Sequence, residues 1–254
     1  MTSEMHYEPP QLDGRELPKR VGLIALATDA TIEGDFRRFV ARDNIAVHVN
    51  RIRFINPTTP ENLRAMHPDL AEAASLILPG EKLDAIVYGC TSASVVIGEE
   101  AVRRSIVEGR GDSHVITPAG AASDALSALR AKRIAVLTPY VRETAEPLSA
   151  YFQARGYDVT RAVHLNMEDD RHMARIPVAE IVRLVGSVAE PGLDAIFVGC
   201  TAFPAAEAAA AIEEQTGIPV VTSNLATAWS VLRHCGYPPD PAAAERLLRM
   251  AEVR

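Results

Sequence analysis

Two cysteines, Cys90 and Cys200, stand in the same nine-residue frame: LDAIVYGCT (Leu83–Thr91) returns as LDAIFVGCT (Leu193–Thr201), with seven of nine positions identical. A lone buried cysteine is most often an inert small hydrophobe. The same thiol at the same place in two copies points instead to chemistry. In each copy the cysteine follows a short apolar run that reads as a strand and precedes a stretch that reads as a helix. Ligands of open α/β sheets sit at the carboxyl ends of the strands. A thiol near a helix N-terminus is favoured as thiolate by free N–H groups and the helix dipole. The amide and hydroxyl groups of Thr91, Ser92 and Thr201, with Ala202 next in the chain, would cradle a carboxylate. Two opposed thiols suit proton removal from one face of a carbon and return to the other. They equally suit thiolate attack on one carbon with proton delivery by the second thiol. A disulfide between them would need sulfurs at ~2 Å and would leave no room for substrate. Cys235, in WSVLRHCGY just before Gly236, has no second copy and reads as structural.

The elements that must position these thiols are also written twice. The stretch from Arg20 to Arg42 resembles that from Arg133 to Arg155, with Thr31 on Thr144, Glu33 on Glu146 and Phe39 on Phe152, at nearly the offset of the cysteines. Duplication gives two lobes of similar fold. The expected strands of the first are Val21–Ala27, Val47–Phe54, Asp84–Tyr88 and His114–Thr117. Those of the second are Arg133–Thr138, Tyr157–Val163, Asp194–Val198 and Ile218–Thr222. They are short and β-branched, as strands buried in a parallel sheet should be. Helices are expected over Pro60–Leu78, Ser94–Glu108, Pro177–Ala189 and Pro204–Gln215, three of them with proline in the first helical position. Pro118–Ala131 and Ser223–Cys235 are expected helices that end each copy. The alternation predicts an α/β fold of two pseudo-symmetric, doubly wound, four-stranded parallel-sheet lobes. Residues 1–19 read as a polar, proline-containing arm, 20–117 plus about 223–254 as the first lobe, and 118–222 as the second.

The 254 residues suffice for two such cores. A net charge of −7 gives no reason to expect nucleic acid or an anionic membrane as partner. No apolar run approaches the ~18 residues of a membrane span, and the start MTSEMHYEPP lacks a basic, apolar signal, so the cytoplasm is the expected location. Three cysteines in a reducing compartment do not suggest a disulfide framework. No Cys or His stands at zinc-ligand spacing, and neither GxGxxG nor GxxxxGK[ST] occurs, so no metal, NAD or ATP is expected. His164, His172 and His234 form no triad in sequence, and Arg175 is not assigned a role.

The paired GCT motifs resemble the aspartate/glutamate racemase superfamily. GCTSAS (Gly89–Ser94), TPY (Thr138–Tyr140) and DDRHMARI (Asp169–Ile176) resemble its branch of maleate cis–trans isomerases and arylmalonate decarboxylases. With HPDLAEAASLILPGEKLDAIVYGCTSASVVIG, the pattern is most similar to the ectoine-utilisation (EutA) group of that branch. The resemblance covers about residues 20–235. It implies a cofactor-free enzyme in which Cys90 adds to a double bond and Cys200 supplies a proton. Arylmalonate decarboxylases lack the first-lobe cysteine, so the pair disfavours decarboxylation. Tyr140 falls on a substrate-binding tyrosine. Two positions depart from the isomerase pattern, since Asp29 and Asp170 stand where substrate-binding asparagines are usual. An acid beside a dicarboxylate would repel it, whereas an acid beside an ammonium group is favourable. The implied substrate is a small carboxylate carrying an amino or acylamino group, with maleate as the alternative. Asp29 could otherwise cap the helix starting near Thr31, and Asp170 could be one of several surface acids. A homo-oligomer, dimer or tetramer, is expected on fold analogy alone.

A different class also fits two α/β lobes with a cleft: a metabolite sensor without catalysis. The cysteine pair discriminates, since a sensor has no need of two opposed thiols.

Overall fold

In the computed structural model, which describes residues 5–12, 14, 17–111 and 113–250, the first repeat builds a parallel sheet in the order β2-β1-β3-β4. Its elements run β1 (Lys19–Leu26), α1 (Ile32–Phe39), β2 (Ile45–Ile52), α2 (Pro60–Arg64), α3 (Leu70–Ser75), β3 (Ala85–Gly89), α4 (Thr91–Ile97), α5 (Glu99–Arg110), β4 (His114–Ile116) and α6 (Pro118–Ala128). The second repeat builds β6-β5-β7-β8 from β5 (Arg133–Tyr140), α7 (Arg142–Ala154), β6 (Asp158–Met167), α8 (Asp170–Met173), α9 (Val178–Gly186), β7 (Ala195–Val198), α10 (Ala205–Thr216), β8 (Val220–Thr222) and α11 (Ser223–His234). The expected α/β fold of two doubly wound four-stranded lobes is the observed one. β3 and β7, the strands that lead into the two cysteines, are buried along their whole length, as central strands covered on both faces must be.

The repeated aspartate of the LDAI frames is structural. Asp84 accepts the Arg20 N–H at 2.8 Å, and Asp194 accepts the N–H groups of Lys132 and Arg133, each at 2.8 Å. Each acid ties the entry of its cysteine strand to the neighbouring strand. The repeated glycine serves packing: a Cβ on Gly89 would lie 2.8 Å from Ile32 Cδ1, and one on Gly199 would lie 3.1 Å from Leu148 Cδ2. The first helix of each lobe therefore presses directly on the end of the cysteine strand.

Several helices differ from expectation. The stretch expected as one helix over Pro60–Leu78 is α2, a 3₁₀ turn at His67–Asp69, and α3. Pro68 has no N–H to continue the first helix and restricts the residue before it. The stretch expected over Ser94–Glu108 is α4 and α5, parted by Gly98 at φ +95°, a conformation no helix contains. Pro177 and Pro204 cap their helices rather than opening them. β6 runs on to Met167, past the expected end at Val163.

The arm has no regular structure over residues 5–12, where Met5, Tyr7 and Leu12 are exposed, and β1 already begins at Lys19. The rest of the arm before Leu17, apart from Gly14, lies outside the described residues. One hydrophobic core runs from the inner face of the first sheet through α6 and α11 into the second lobe, and another covers the outer face of the first sheet. Beyond α11 the chain folds back. Leu247 and Leu248 are buried, the Trp229 indole N–H donates to the Met250 carbonyl at 3.0 Å, and the Arg246 N–H donates to Glu213 at 2.9 Å. Among the described residues no helix is long and apolar enough to cross a membrane.

Candidate active site

Cys90 leaves the end of β3 and caps α4 in an extended conformation (φ −146°). Cys200 leaves the end of β7 with φ +101°, in the left-handed region where a non-glycine residue is strained. An irregular turn of four residues separates it from α10, so only Cys90 stands at the start of a helix as expected. Both are free thiols and both are buried. They line one small cavity between the lobes, with room for about one water, about 10 Å³.

Of the residues singled out from sequence, Asp29, Ser92, Tyr140, Asp170, Thr201 and Ala202 line this cavity with the two cysteines. Thr91 does not; its hydroxyl turns away and donates to Ser223 at 2.8 Å. Sequence reasoning missed Thr58 and Met173, which complete the wall with Leu26 and Phe54. Thr58 and Phe54 come from the loop after β2, which carries no motif. Met173 lies within DDRHMARI, and its sulfur is 3.8 Å from the Cys200 thiol. Arg175 and the three histidines lie outside the cavity wall. Among the described residues, no lysine or arginine lines the cavity.

Asp29 does both things the sequence offered for it. Its Oδ1 accepts the N–H groups of Thr31 at 2.8 Å and Ile32 at 3.0 Å, fastening the entry to α1. Its Oδ2 is buried without a hydrogen-bond partner, and the nearby Thr201 hydroxyl donates to the Gly89 carbonyl at 3.1 Å. Burial pushes the Asp29 carboxyl above the usual range, against the opposing pull of the two backbone N–H groups and the neighbouring Thr201 hydroxyl. Asp170 is buried, not a surface acid. It accepts from the Asn56 amide at 2.7 Å and from the Thr28 hydroxyl. Asn56, unmarked in the sequence, thus holds the second acid in place.

Burial also sets the thiols. Cys90 is pushed up to about 12 by burial, against the Ala93 N–H and the Ser92 hydroxyl, which lies 3.8 Å from the sulfur. Cys200 is pushed up as well, again by burial first, although the Tyr140 hydroxyl and the Ala202 N–H favour its thiolate. The helix start expected to favour thiolate is outweighed by desolvation. Burial likewise drives Tyr140 far above the ordinary phenol value, with the two cysteines as its next neighbours. At rest the cavity therefore holds two neutral thiols and a neutral phenol, two hydrogen-bond-anchored acids, and one unpaired carboxyl oxygen. Such a set can donate and accept protons.

A family model described as arylmalonate decarboxylase matches residues 69–248. The maleate isomerase of Nocardia farcinica is 29% identical over 242 residues, covering 91% of this chain and 96% of that protein. The maleate isomerase of Pseudomonas putida is 27% identical over 243 residues, covering 90% and 96%. Among solved structures, a cysteine-to-serine mutant of the Nocardia farcinica maleate cis–trans isomerase, carrying a covalently bound succinylcysteine intermediate, superposes with a TM-score of 0.83 at 28% identity, covering 91% of this chain and 98% of that one. A cysteine-to-alanine mutant of a Pseudomonas putida maleate isomerase with maleate gives 0.83 at 27% identity, covering 93% and 99%.

Proposed function

The chain belongs to the arylmalonate decarboxylase family, and from that membership we propose that it is a cofactor-independent, two-thiol isomerase acting on a small carboxylate that also carries an amino or acylamino group, as in the ectoine-utilisation (EutA) group. The observation that carries the substrate reading is Asp29, which lines the cavity and whose Oδ2 is buried without a hydrogen-bond partner. A second carboxylate against it would be repelled, while a substrate N–H group would satisfy it. Asp170 adds a second acid, and among the described residues no basic side chain lines the cavity to offset the two.

In this reading one cysteine, as thiolate, takes the proton from the carbon beside the substrate carboxylate. The other, as thiol, returns a proton to the opposite face, so the configuration inverts and the two sulfurs exchange protonation states. The Ser92 and Tyr140 hydroxyls, both in the cavity wall, hold the carboxylate. Retention of Cys90 speaks for isomerisation over decarboxylation.

A second reading has its own support. The relatives are maleate isomerases, and one of them carries a succinylcysteine intermediate. Here the Cys90 thiolate forms a C–S bond with the alkene and the Cys200 thiol protonates the adjacent carbon. Rotation about the resulting single bond follows. Return of that proton to Cys200 and cleavage of the C–S bond release the trans isomer. Asp29 would then have to be protonated, donating to the dicarboxylate as an amide does.

Turnover of maleate against amino acids and N-acetyl diamino acids decides between them. Activity on an amino or acylamino acid is expected; brisk maleate turnover with no amino-acid activity would sink the substrate reading.

A further inference from the structure

The duplicated lobes differ at one place that bears on the thiols. After β4 the chain reads Thr117-Pro118-Ala119, and at the equivalent point, from the last residue of β8, it reads Thr222-Ser223-Asn224. Both threonines cap the following helix through the same bond, Thr117 Oγ1 accepting from the Gly120 N–H and Thr222 Oγ1 from the Leu225 N–H, each at 3.2 Å. The next two residues are apolar in the first copy and polar and buried in the second. The cysteines differ in parallel: Cys90 is relaxed at φ −146°, whereas Cys200 is held at φ +101°.

Ser223 Oγ lies between the two motifs. It accepts the Cys200 N–H at 3.0 Å and the hydroxyl of Thr91, the neighbour of Cys90, at 2.8 Å. Asn224 donates from Nδ2 to the Thr201 carbonyl at 2.8 Å and to Asp35 Oδ2 at 2.7 Å. Asp35 comes from α1 and is itself buried, so the amide is oriented from behind. The Cys200 N–H and the Thr201 carbonyl are thus tied to the first turn of α11, and through Thr91 to the other cysteine. None of these three side chains lines the cavity.

We infer that Ser223 and Asn224, with Asp35 behind them, are positioning residues that hold Cys200 in its left-handed conformation and set its place relative to Cys90. The unequal duplication follows: only the copy whose cysteine is strained carries the polar anchor. The inference rests on the two-thiol reading, so its test includes a measurement that needs no substrate.

That test compares Ser223→Ala and Ser223→Thr with the unsubstituted protein. Modification of Cys200 and of Cys90 by iodoacetamide is followed by peptide mass spectrometry, alongside kcat, KM and Tm. Ser223→Ala leaves the buried Cys200 N–H and Thr91 hydroxyl without an acceptor. It is expected to lower kcat about tenfold to a hundredfold with KM held within about twofold, and to shift the Cys200-to-Cys90 modification ratio. Ser223→Thr keeps the oxygen and is expected to restore both. An unchanged ratio and kcat in Ser223→Ala would overturn the inference, as would a loss that follows Tm alone and is not restored by threonine. If Ser223→Ala does not fold, Asn224→Ala is read the same way. A shifted ratio in a protein that turns over nothing would retire the proposed reaction and leave the positioning role standing.

Discussion

Burial, not the helix dipole, governs the two thiols, and that makes the thiolate a minor species in the free protein. Because kcat/KM reports ionisations of the free enzyme, and the Cys90 thiol lies at about 12, kcat/KM is expected to climb with pH from 7 to 9 without reaching a plateau. A plateau near pH 7 would mean a thiol with depressed pKa. Asp29 makes a second prediction. Burial raises its carboxyl, so the neutral form is favoured as pH falls and the ionised form as pH rises. An ammonium substrate needs the ionised form, so its KM should fall with rising pH; maleate needs the neutral form, so its KM should rise. Asp29→Asn keeps an acceptor for the α1 entry and is expected to weaken turnover of an amino substrate about tenfold or more while sparing maleate; steady-state kinetics on both check it. At this scale the sequence was readable where residues repeat or match a motif, as with Cys90, Cys200 and Tyr140. Asn56 and Thr58 were not, because they sit on an irregular loop whose place over the cavity arises only from the tertiary fold. Thr91 was misplaced for a similar reason: a hydroxyl at a helix start can face either way, and here Ser223 draws it inward.

Among the elements, the strands were legible from their apolar runs and the helices less so. Pro68 and Gly98 break two helices whose apolar spacing continues across the break. The register of the cysteine strands depends on the aspartate and glycine of each repeat, and Gly89 offers a direct check. Its Cβ would meet Ile32 at 2.8 Å and the Ile24 carbonyl at 3.1 Å, so Gly89→Ala is expected to destabilise by about 1–3 kcal/mol in chemical denaturation. Asp35, on α1, is raised to about 6 by burial, against its bond from Asn224. A carboxyl raised on folding contributes stability that is present below its unfolded value near 4 and is lost as pH rises towards 6. Asp35→Asn, which still offers Asn224 an oxygen, should therefore raise Tm at pH 7 and flatten the pH dependence between 4 and 6. The gain is bounded at about 3 kcal/mol, and melting curves across pH 4–8 would show it.

At the level of the whole molecule, the cavity exists because the lobes are stitched together around it. Thr201 reaches the Gly89 carbonyl, Thr31 donates to the Ala202 carbonyl at 2.8 Å, and the Thr58 N–H donates to the Glu168 carbonyl at 2.7 Å. Further out, Tyr151 of α7 and Arg155 just after it bind Glu99 of α5 at 2.8 and 2.7 Å. We propose that α11 and the residues after it fold with the first lobe; α11 packs on α1, β3 and β4, and also on α6, α10 and β8. Duplication was visible in the sequence and implied two facing thiols, but the unequal anchors behind them emerge only when both copies are seen in space. The central claim is that Cys90 and Cys200 act together on one substrate. Its most direct test is solvent-deuterium incorporation, read by mass spectrometry, for the unsubstituted protein, Cys90→Ser and Cys200→Ser over amino acids, N-acetyl diamino acids and unsaturated dicarboxylates. The expected result is label beside the carboxylate of one panel member, reduced about 10²–10⁴-fold in each variant. Ligand binding by all three proteins with no exchange in any of them would contradict the claim and leave a sensor in its place.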